Sequence, residues 1–358
     1  MSERRYQALL CLVQVAAGDP AAPEIQVVDA IGDVDPSPLA GPLADPEIEV
    51  VLHAGRQDVA LVKRAWRTEV RNVFDTQVAG AFLGYGPQVG YSSLVERLLK
   101  VLPSRDEGLT RWDKRPLTRD QIEYARADVE HLLALADVLE AKLAEQGRLE
   151  WVREECRALE EVTDLRDEDD VFWRLPRLSR LSSKQRAVAR ELVAWRERAA
   201  RKHDRPPKRL LPEQVLVELA KRSPKDRDAL AHVRAVPEQT LHRHWRGILE
   251  AIERGQAAEP IPARPAVDSD PRDAPLVAVA QALVRQRALD CELAPELLAT
   301  QSDLAAIVGA LRRGDAPDGN RTLRGWRREL VGEELLELLS GRRTLAVGPD
   351  RRLSVRRS

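Results

Sequence analysis

Apolar residues near the start of the chain occur in short runs that are separated by turn residues and helical segments. Residues 9–16 are almost continuously apolar, which is the pattern of a strand buried on both faces. Residues 24–29 and 48–53 predict two further strands, with a short helix from Asp35 between them and a longer helix over residues 55–66. Short strands that alternate with helices indicate an α/β layer around a mostly buried sheet.

From Thr118 onward the spacing of apolar residues becomes that of a helix. Thr118 and Gln121 form a predicted capping box, in which each side chain accepts a hydrogen bond from a backbone N–H at the helix start. Apolar residues then recur every three or four positions, at Ile122, Ala125, Val129, Leu132, Leu133 and Ala136. The pattern predicts one helix that ends at Gly147.

The second half of the chain is helical in two stretches. Residues 164–180 are polar and predict a connector, and the proline-broken periodicity of residues 181–255 is typical of four or five short helices. Residues 259–275 hold five prolines and predict an extended linker. Residues 276–340 form another helical set, which indicates a duplicated module. The basic residues 341–358 predict a poorly ordered tail.

Charge is unevenly distributed, although the net charge of the chain is −1. Residues 174–256 carry 21 Lys and Arg against 10 Asp and Glu, and this excess favours a polyanionic partner. The alternative is that these cations only keep helix faces solvated. Aromatic residues make up 4% of the chain, which argues against a large aromatic ligand cage.

The positions of the cysteines and the hydropathy of the sequence indicate the cellular compartment in which the protein is expected. Cys11, Cys156 and Cys291 lie far apart and form neither a disulfide framework nor a zinc motif, so we expect a cytoplasmic protein. No apolar run reaches the roughly 18–20 residues that span a bilayer, and we expect no membrane association. Residues 4–17 resemble a short signal peptide, but Gln14 interrupts the apolar stretch and a buried strand is the better interpretation.

Two short segments carry candidate chemistry. Tyr124 and Asp128 are four residues apart, so a helix presents the phenol and the carboxylate on one face. Asp58 follows a strand end, His53, and a predicted turn at Gly55. Each feature is weak alone, because Tyr–Asp pairs are common, an acid in a first turn is favoured by the helix dipole, and such a histidine is more often structural than a general base.

Together these segments resemble the ribonuclease D family. Leu52-His53-Ala54-Gly55-Arg56-Gln57-Asp58 resembles its second exonuclease motif, and Phe74-Asp75-Thr76-Gln77 follows at the usual place. Trp112-Asp113-Lys114-Arg115-Pro116-Leu117-Thr118, with Tyr124 and Asp128, resembles the tyrosine version of its third motif. The two helical sets resemble the helicase-and-RNase-D C-terminal domain, in two copies. The resemblance spans almost the whole chain, in family order.

The resemblance implies an α/β ribonuclease H-like exonuclease domain, whose first, central strand is missing here, followed by two all-α helical-bundle domains. The implied boundaries are 1–150 for the exonuclease domain, 151–180 for a connector, 181–256 for the first helical domain, 257–275 for the linker, 276–341 for the second helical domain and 342–358 for the basic tail.

The implied chemistry is two-metal phosphodiester hydrolysis with Mg²⁺ or Mn²⁺. Carried over by position, Asp128 holds the metal that activates water, Tyr124 orients that water, and Asp58 supports the second metal.

The chain departs from the family at its start. Family members carry an Asp-x-Glu motif on the opening strand, and that motif would precede Met1, so two of the four metal-site carboxylates are absent. With Asp58 and Asp128 alone the two-ion site is incomplete, and we expect little activity from the chain as written. We interpret this as a start codon assigned too far downstream. A stop codon upstream of Met1, in frame and before any Asp-x-Glu, would contradict that interpretation.

Several further residues are candidates for nucleic-acid contact. Trp112 could stack a base or pack in the core, and Arg115 could meet a phosphate or form an ion pair. A basic, proline-bounded loop could follow a phosphate backbone, through Lys202, Arg205, Lys208 and Arg209. Trp195 and Trp245 fit helical spacing and are interpreted as core residues.

These features favour a metal-dependent 3′→5′ exoribonuclease. The expected substrates are RNAs with a free 3′ end, which for this family means tRNA precursors and other small stable RNAs. A second hypothesis is a non-catalytic RNA-binding protein that keeps the nuclease scaffold. A third is a DNA-directed exonuclease of the same superfamily, which competition between matched RNA and DNA would distinguish because only RNA offers the 2′-OH.

Overall fold

The computed structural model of the chain describes residues 5–102, 111–263 and 270–357. Contacts divide the chain into two compact units. One consists of Met1–Leu10 and Asp164–Ala266, and the other of Cys11–Thr163 and Val267–Ser358. The α/β part and the C-terminal helices therefore belong to one unit, and the first helical module forms the other unit together with the first residues of the chain.

Four strands of the α/β part form two separate pairs among the described residues. β1 (Leu12–Ala17) is antiparallel to β2 (Glu24–Asp29), and β3 (Val50–Leu52) is parallel to β4 (Val73–Asp75). The prediction that the first strand is buried on both faces is wrong, because β1 is hydrogen-bonded to β2 alone and stays half-buried. The parallel pair brings the carboxyl ends of β3 and β4 to the same edge.

The described residues of this part also form α1 (Ser37–Ala44), α2 (Arg56–Trp66), α3 (Thr76–Phe82), α4 (Tyr91–Leu94), α5 (Arg119–Glu130), α6 (Leu132–Glu145) and α7 (Leu149–Glu160). A π-helical turn, Val95–Leu99, continues α4. The single helix predicted from Thr118 is divided at His131, whose backbone N–H donates to the hydroxyl of Tyr91 at 3.2 Å and also to Val129 O. Gly147 follows α6 with φ +67°, as expected of a helix end.

The first helical module contains α8 (Glu168–Trp173), a 3₁₀ turn (Leu178–Arg180), α9 (Ser183–Lys202), α10 (Pro207–Leu210), α11 (Glu213–Arg222), α12 (Arg227–Ala231) and α13 (Glu238–Ala257). The interpretation of residues 164–180 as a polar connector needs correction. Phe172, Leu175 and Leu178 are buried in the core of this module, because apolar residues between the charged ones point inward along α8 and the turn that follows it. Trp195 and Trp245 pack at the edge of the same core.

The C-terminal part contains α14 (Asp273–Asp290), α15 (Pro295–Leu298), α16 (Gln301–Arg313), a 3₁₀ turn (Arg321–Leu323), α17 (Gly325–Arg327), a π-helical turn (Arg328–Gly332) and α18 (Glu333–Leu339). These helices share one apolar core with the α/β part, where Trp151 stacks on Trp326 with ring centroids 5.3 Å apart. Arg327 is paired with Glu155 on α7, at 2.7 Å between Nη2 and Oε2.

The predicted poorly ordered tail is instead a β-hairpin. β5 (Arg343–Val347) is antiparallel to β6 (Leu353–Arg357). Apolar residues between the arginines explain the difference, since Leu345 and Val355 pack against the core of this unit.

The two helical modules share a local arrangement that supports the predicted duplication. In each, a long helix leads to a four-residue helix with proline at its first turn and then to a third helix. A buried threonine hydroxyl donates to the last carbonyl of the short helix in both modules. Thr240 donates to Leu210 O at 2.6 Å, and Thr322 donates to Leu298 O at 3.3 Å.

The predicted linker falls between the two modules. α13 ends at Ala257 and α14 begins at Asp273, and residues 264–269 of the linker lie outside the described residues. Among the helices that the structure describes, none combines the length and the apolar character needed to cross a bilayer. The exact domain boundaries stay predictions.

Candidate active site

The turn after β3 is shaped by a glycine that allows close packing. Ala54 adopts φ +53°, and Gly55 precedes the first residue of α2. A Cβ on Gly55 would lie 2.6 Å from a methyl carbon of Leu52, so a side chain there would force the turn to open. The turn sets the start of α2 and thereby places Asp58 in its first turn.

Asp75, at the end of β4, joins the two strand ends. Its side chain is 2% exposed and accepts four backbone hydrogen bonds. Oδ2 accepts from the N–H of Gly55 at 2.8 Å, and Oδ1 accepts from the N–H of Ala54 at 3.1 Å. Oδ1 also caps α3 by accepting from Gln77 at 2.8 Å and Val78 at 3.3 Å. The carboxylate therefore fixes the turn that carries Asp58.

The carboxylate of Asp58 is partly surrounded by protein atoms but remains accessible to solvent. The residue is exposed, yet neighbouring atoms remove part of the hydration of its carboxylate. This desolvation, followed by the negative charge of Asp75, raises the pKa of Asp58 above its ordinary value. A cation bound at this place would oppose both effects.

His53 has a structural set of contacts, in agreement with the interpretation from sequence. The Thr76 hydroxyl donates to Leu52 O at 3.0 Å, so it accepts from His53 Nδ1–H at 2.9 Å. Burial lowers the pKa of His53, against an opposing effect of the Asp75 charge. The imidazole packs edge-on against Tyr91, with centroids 5.7 Å apart.

Tyr91 connects this strand edge to α5. The pKa of Tyr91 is raised to about 12, chiefly by burial; the charge of Asp128 contributes to this rise, and the hydrogen bond from His131 N–H opposes it. Asp128 therefore lies close enough to Tyr91 for their charges to interact. Charge interactions thus relate Asp58 and His53 to Asp75, and Asp128 to Tyr91, while a ring contact joins His53 to Tyr91.

Tyr124 and Asp128 are presented by α5, whose start is the predicted capping box. Gln121 N–H donates to Thr118 Oγ1 at 3.2 Å, and Thr118 N–H donates to Gln121 Oε1 at 2.9 Å. The ring of Tyr124 lies 6.0 Å from that of Trp112. Trp112 as a whole is half-buried.

Arg115 is committed to a structural ion pair. Its guanidinium binds both carboxylate oxygens of Asp29 and donates to the carbonyls of Cys11 at 3.0 Å, Trp112 at 2.8 Å and Lys114 at 2.8 Å. All five N–H groups have acceptors. A phosphate contact by Arg115 would have to replace one of these bonds, so the ion-pair alternative is the one that the structure favours.

The four cations of the predicted phosphate-binding loop surround the α9–α10 connection of the first helical module: Lys202 ends α9, Arg205 lies in the loop, and Lys208 and Arg209 lie on α10. Lys202, Arg205, Lys208 and Arg209 are all exposed. Lys208 pairs with Glu213 at 3.7 Å, and Arg205 donates to Gln239 at 3.2 Å. They form an exposed basic surface within this module.

Sequence reasoning gave no role to two residues of the site. Asp75 could have been recognised as an N-cap, since it stands between a buried apolar pair and a helix. Tyr91 gave no signal, because nothing in its neighbourhood distinguishes it from an ordinary helix residue. Its place between His53 and Asp128 depends on the tertiary fold.

The donor set fits part of a site for a hard divalent ion. Asp58 and Asp128 offer carboxylate oxygens, which Mg²⁺ and Mn²⁺ prefer. Within residues 5–102, 111–263 and 270–357, no group of three or more His, Cys, Asp or Glu is arranged to hold a metal ion.

Comparisons with known proteins agree over nearly the full length. Residues 1–144 match a 3′-5′ exonuclease family profile, and residues 185–252 match the HRDC domain. A protein of Gluconacetobacter diazotrophicus named Ribonuclease D is 36% identical, covering 98% of this chain and 88% of the relative. One of the same name from Nitrobacter hamburgensis is 34% identical, covering 100% and 92%.

A solved structure shares the arrangement of both units' elements. The crystal structure of Escherichia coli RNase D, described as an exoribonuclease involved in structured RNA processing, matches with a TM-score of 0.83 and 27% identity. The match covers 94% of this chain and 90% of the other.

Proposed function

The chain belongs to the ribonuclease D family of 3′→5′ exoribonucleases, and we propose that Asp58, Tyr124 and Asp128 form its reaction centre on RNA. The observation that carries this proposal is the series of charge interactions and one ring contact that runs from Asp58, at the β3–β4 edge, through Asp75, His53 and Tyr91 to Asp128 on α5. In this proposal both carboxylates face the same reacting phosphate.

Each residue has a distinct task in this proposal. Asp58 and Asp128 would hold divalent metal ions, Mg²⁺ or Mn²⁺, in a two-ion site. Bound there, such ions stabilise the negative charge on the attacking and leaving oxygens. The Tyr124 hydroxyl orients the attacking water, and Trp112 stacks the terminal base, which is worth roughly 1–3 kcal/mol per stacked base in single-strand binding.

Positioning is the main contribution of the surrounding residues. Asp75 holds the turn before α2, and Tyr91 holds the junction between α5 and α6. His53 donates its Nδ1–H to Thr76, and burial lowers the pKa of its imidazole, which fits a supporting role. Displacement of such supports by about 1 Å costs on the order of 100-fold in rate.

The substrates that we propose are RNAs with a folded body and a free 3′ end, such as tRNA precursors and small stable RNAs. The processing of structured RNA by the Escherichia coli relative supports this class. The exposed cations of the α9–α10 loop would hold the RNA phosphate backbone. Three free cysteines fit a reducing compartment, and we place the reaction in the cytoplasm.

The experiment follows the shortening of a 3′-extended tRNA precursor, labelled at its 5′ end, on a denaturing gel. It uses the 358-residue chain and the same chain extended by the upstream in-frame residues. We expect the extended chain to remove nucleotides one at a time only with Mg²⁺ or Mn²⁺. Asp128→Asn should abolish shortening, and Asp120→Asn, a change of the same kind on the same helix, should not.

Three outcomes would contradict the proposal. Binding of the RNA without shortening by the extended chain would favour a non-catalytic RNA-binding protein. Faster removal from matched DNA than from RNA would favour a DNA-directed exonuclease. Equal activity of Asp128→Asn and Asp120→Asn would remove Asp128 from the site.

A further inference from the structure

The C-terminal β-hairpin, residues 343–357, is firmly attached to its unit. Leu345 and Val355 face each other across the two strands and pack against the core. The backbone N–H of Leu353 donates to Gln286 Oε1 on α14 at 3.0 Å. Arg343 pairs with Glu334 on α18 at 3.1 Å. An element fixed in this way can present side chains in a defined arrangement.

The tip of the hairpin is also ordered. Gly348 N–H donates to Arg352 O at 2.8 Å, and Arg351 N–H donates to Gly348 O at 3.0 Å. The carboxylate of Asp350 accepts from the N–H of Arg352 at 3.1 Å, so this acid stabilises the turn. The two arginines of the tip are held on a closed turn.

The hairpin has a strong excess of positive charge. Residues 342–357 contain six arginines and one aspartate. The acids of α18 already have partners, since Glu334 binds Arg287 at 2.7 Å as well as Arg343, and Glu333 binds Arg328 at 3.3 Å. Five exposed guanidinium groups have no side-chain hydrogen bond or ion pair with any residue that the structure describes: Arg342, Arg351, Arg352, Arg356 and Arg357.

These arginines form two groups at opposite ends of the hairpin. Arg351 and Arg352 are at the tip, and Arg342, Arg356 and Arg357 are at the base. Four residue steps along an antiparallel strand separate base from tip by roughly 14 Å. The spacing suits a ligand that repeats negative charges along its length, such as a phosphate backbone.

The chemistry of the hairpin distinguishes among anionic partners. Guanidinium groups bind phosphate oxygens through paired N–H donors. The hairpin contains no aromatic residue, so it cannot stack unpaired bases. One exposed apolar side chain at the tip, Val347, is too little for insertion into a membrane. Phosphates of a folded RNA fit these features best.

We propose that the C-terminal β-hairpin is an RNA-binding element that holds the phosphate backbone in the folded body of the substrate. This inference rests on the proposed function, because the hairpin belongs to the same compact unit as the candidate active site. The hairpin would add affinity for structured RNA without reading its sequence.

The test compares Arg351→Gln/Arg352→Gln with a control of equal charge change in the same unit, Arg157→Gln/Arg313→Gln. Affinity for a fluorescent tRNA precursor is measured by anisotropy in EDTA at several salt concentrations. We expect the hairpin variant to bind at least about 5-fold more weakly near ~100 mM salt, and its salt slope to fall by about 1.8, as for two lost phosphate contacts on a duplex. The control should match the unmodified chain. Arg351→Lys/Arg352→Lys should recover much of the affinity, because it restores the charge.

Unchanged affinity and salt slope in the hairpin variant would overturn the inference. So would equal losses in the hairpin variant and the control. Binding to vesicles of phosphatidylserine and phosphatidylcholine tests the membrane alternative. If the hairpin variant loses vesicle binding but keeps its RNA affinity, the hairpin binds membranes and the inference is overturned. EDTA separates this test from catalysis: loss of affinity on hairpin substitution, together with an extended chain that shortens no RNA, refutes the proposed function and supports the hairpin.

Discussion

The Asp75 carboxylate accepts a hydrogen bond from the backbone N–H of Gly55 at 2.8 Å. This bond joins the ends of two parallel strands across twenty residues of sequence. It also fixes the start of the helix that carries Asp58. The position of a proposed metal ligand thus depends on a buried acid that need not touch metal or substrate.

Replacement of Asp75 by asparagine should therefore destabilise the turn. The amide can keep one oxygen toward Ala54, Gln77 and Val78, but its NH₂ group then faces the N–H of Gly55. An unsatisfied buried donor costs about 1–3 kcal/mol, and we expect the free energy of unfolding to fall by that amount in urea titrations. Asp45→Asn, at an exposed turn acid that accepts from Glu47 N–H, is the control and should change little. Equal effects of the two substitutions would contradict this account of Asp75.

Cysteine reactivity tests the packing of α7 against β4. Burial raises the pKa of the Cys156 thiol to about 12, and its sulfur accepts from the N–H of Asp75 at 3.3 Å. In the native protein at pH 8 we expect Cys156 to resist an aromatic disulfide reagent until the chain unfolds, because only the thiolate reacts. Cys291 is more exposed, and Cys291→Ser should remove any fast phase. Rapid labelling of Cys156 in the folded protein would show that α7 does not pack against β4 as described.

A buried ion pair should be a weak point of the first helical module. Arg196 and Glu197 are both 0% exposed and lie 2.9 Å apart, and Arg166 approaches the other oxygen of Glu197 at 3.1 Å. Glu197→Gln leaves the Arg196 charge buried with a weaker partner, and we expect a loss of about 3–5 kcal/mol in unfolding free energy. Glu218→Gln, in an exposed pair with Arg222, should cost at most about 1 kcal/mol. A loss of similar size in both variants would contradict the prediction.

The basic loop between α9 and α10 should contribute to RNA affinity through charge. Charge reversal of Lys202, Arg205, Lys208 and Arg209 should weaken binding of a tRNA precursor and flatten its dependence on salt. Each lost phosphate contact lowers the slope by about 0.7–0.9. The control reverses four other exposed cations of the module, Arg174, Lys221, Lys225 and Arg234. Unchanged affinity and slope in the first variant would exclude the loop from RNA binding.

Local patterns predicted many elements correctly because local interactions determine them. The capping box at Thr118 and Gln121 formed as expected, and β2 has the predicted bounds of 24–29. The division of the helix at His131 was not predictable, because the hydroxyl of Tyr91, forty residues away in sequence, competes for its N–H. The C-terminal hairpin was not predicted, because the many arginines of this segment suggested a solvated tail although Leu345 and Val355 pack inward.

For the site, sequence identified the residue types but not the supports that hold them. The roles of Asp58, Tyr124 and Asp128 came from spacing and from family resemblance, and they stay predictions. Asp75 and Tyr91 act through contacts between distant segments, which no local pattern records.

The most direct test of the central claim is a titration with Mn²⁺ of the chain and of Asp58→Asn, Asp128→Asn and the double variant. If the two carboxylates share one pocket, each single change should weaken Mn²⁺ binding at least about 10-fold, and the double variant should lose less than the sum of the two free-energy losses. Asp120→Asn should bind Mn²⁺ as the unmodified chain does. Strictly additive losses, or no loss in either single variant, would contradict a shared metal site and with it the proposed reaction centre.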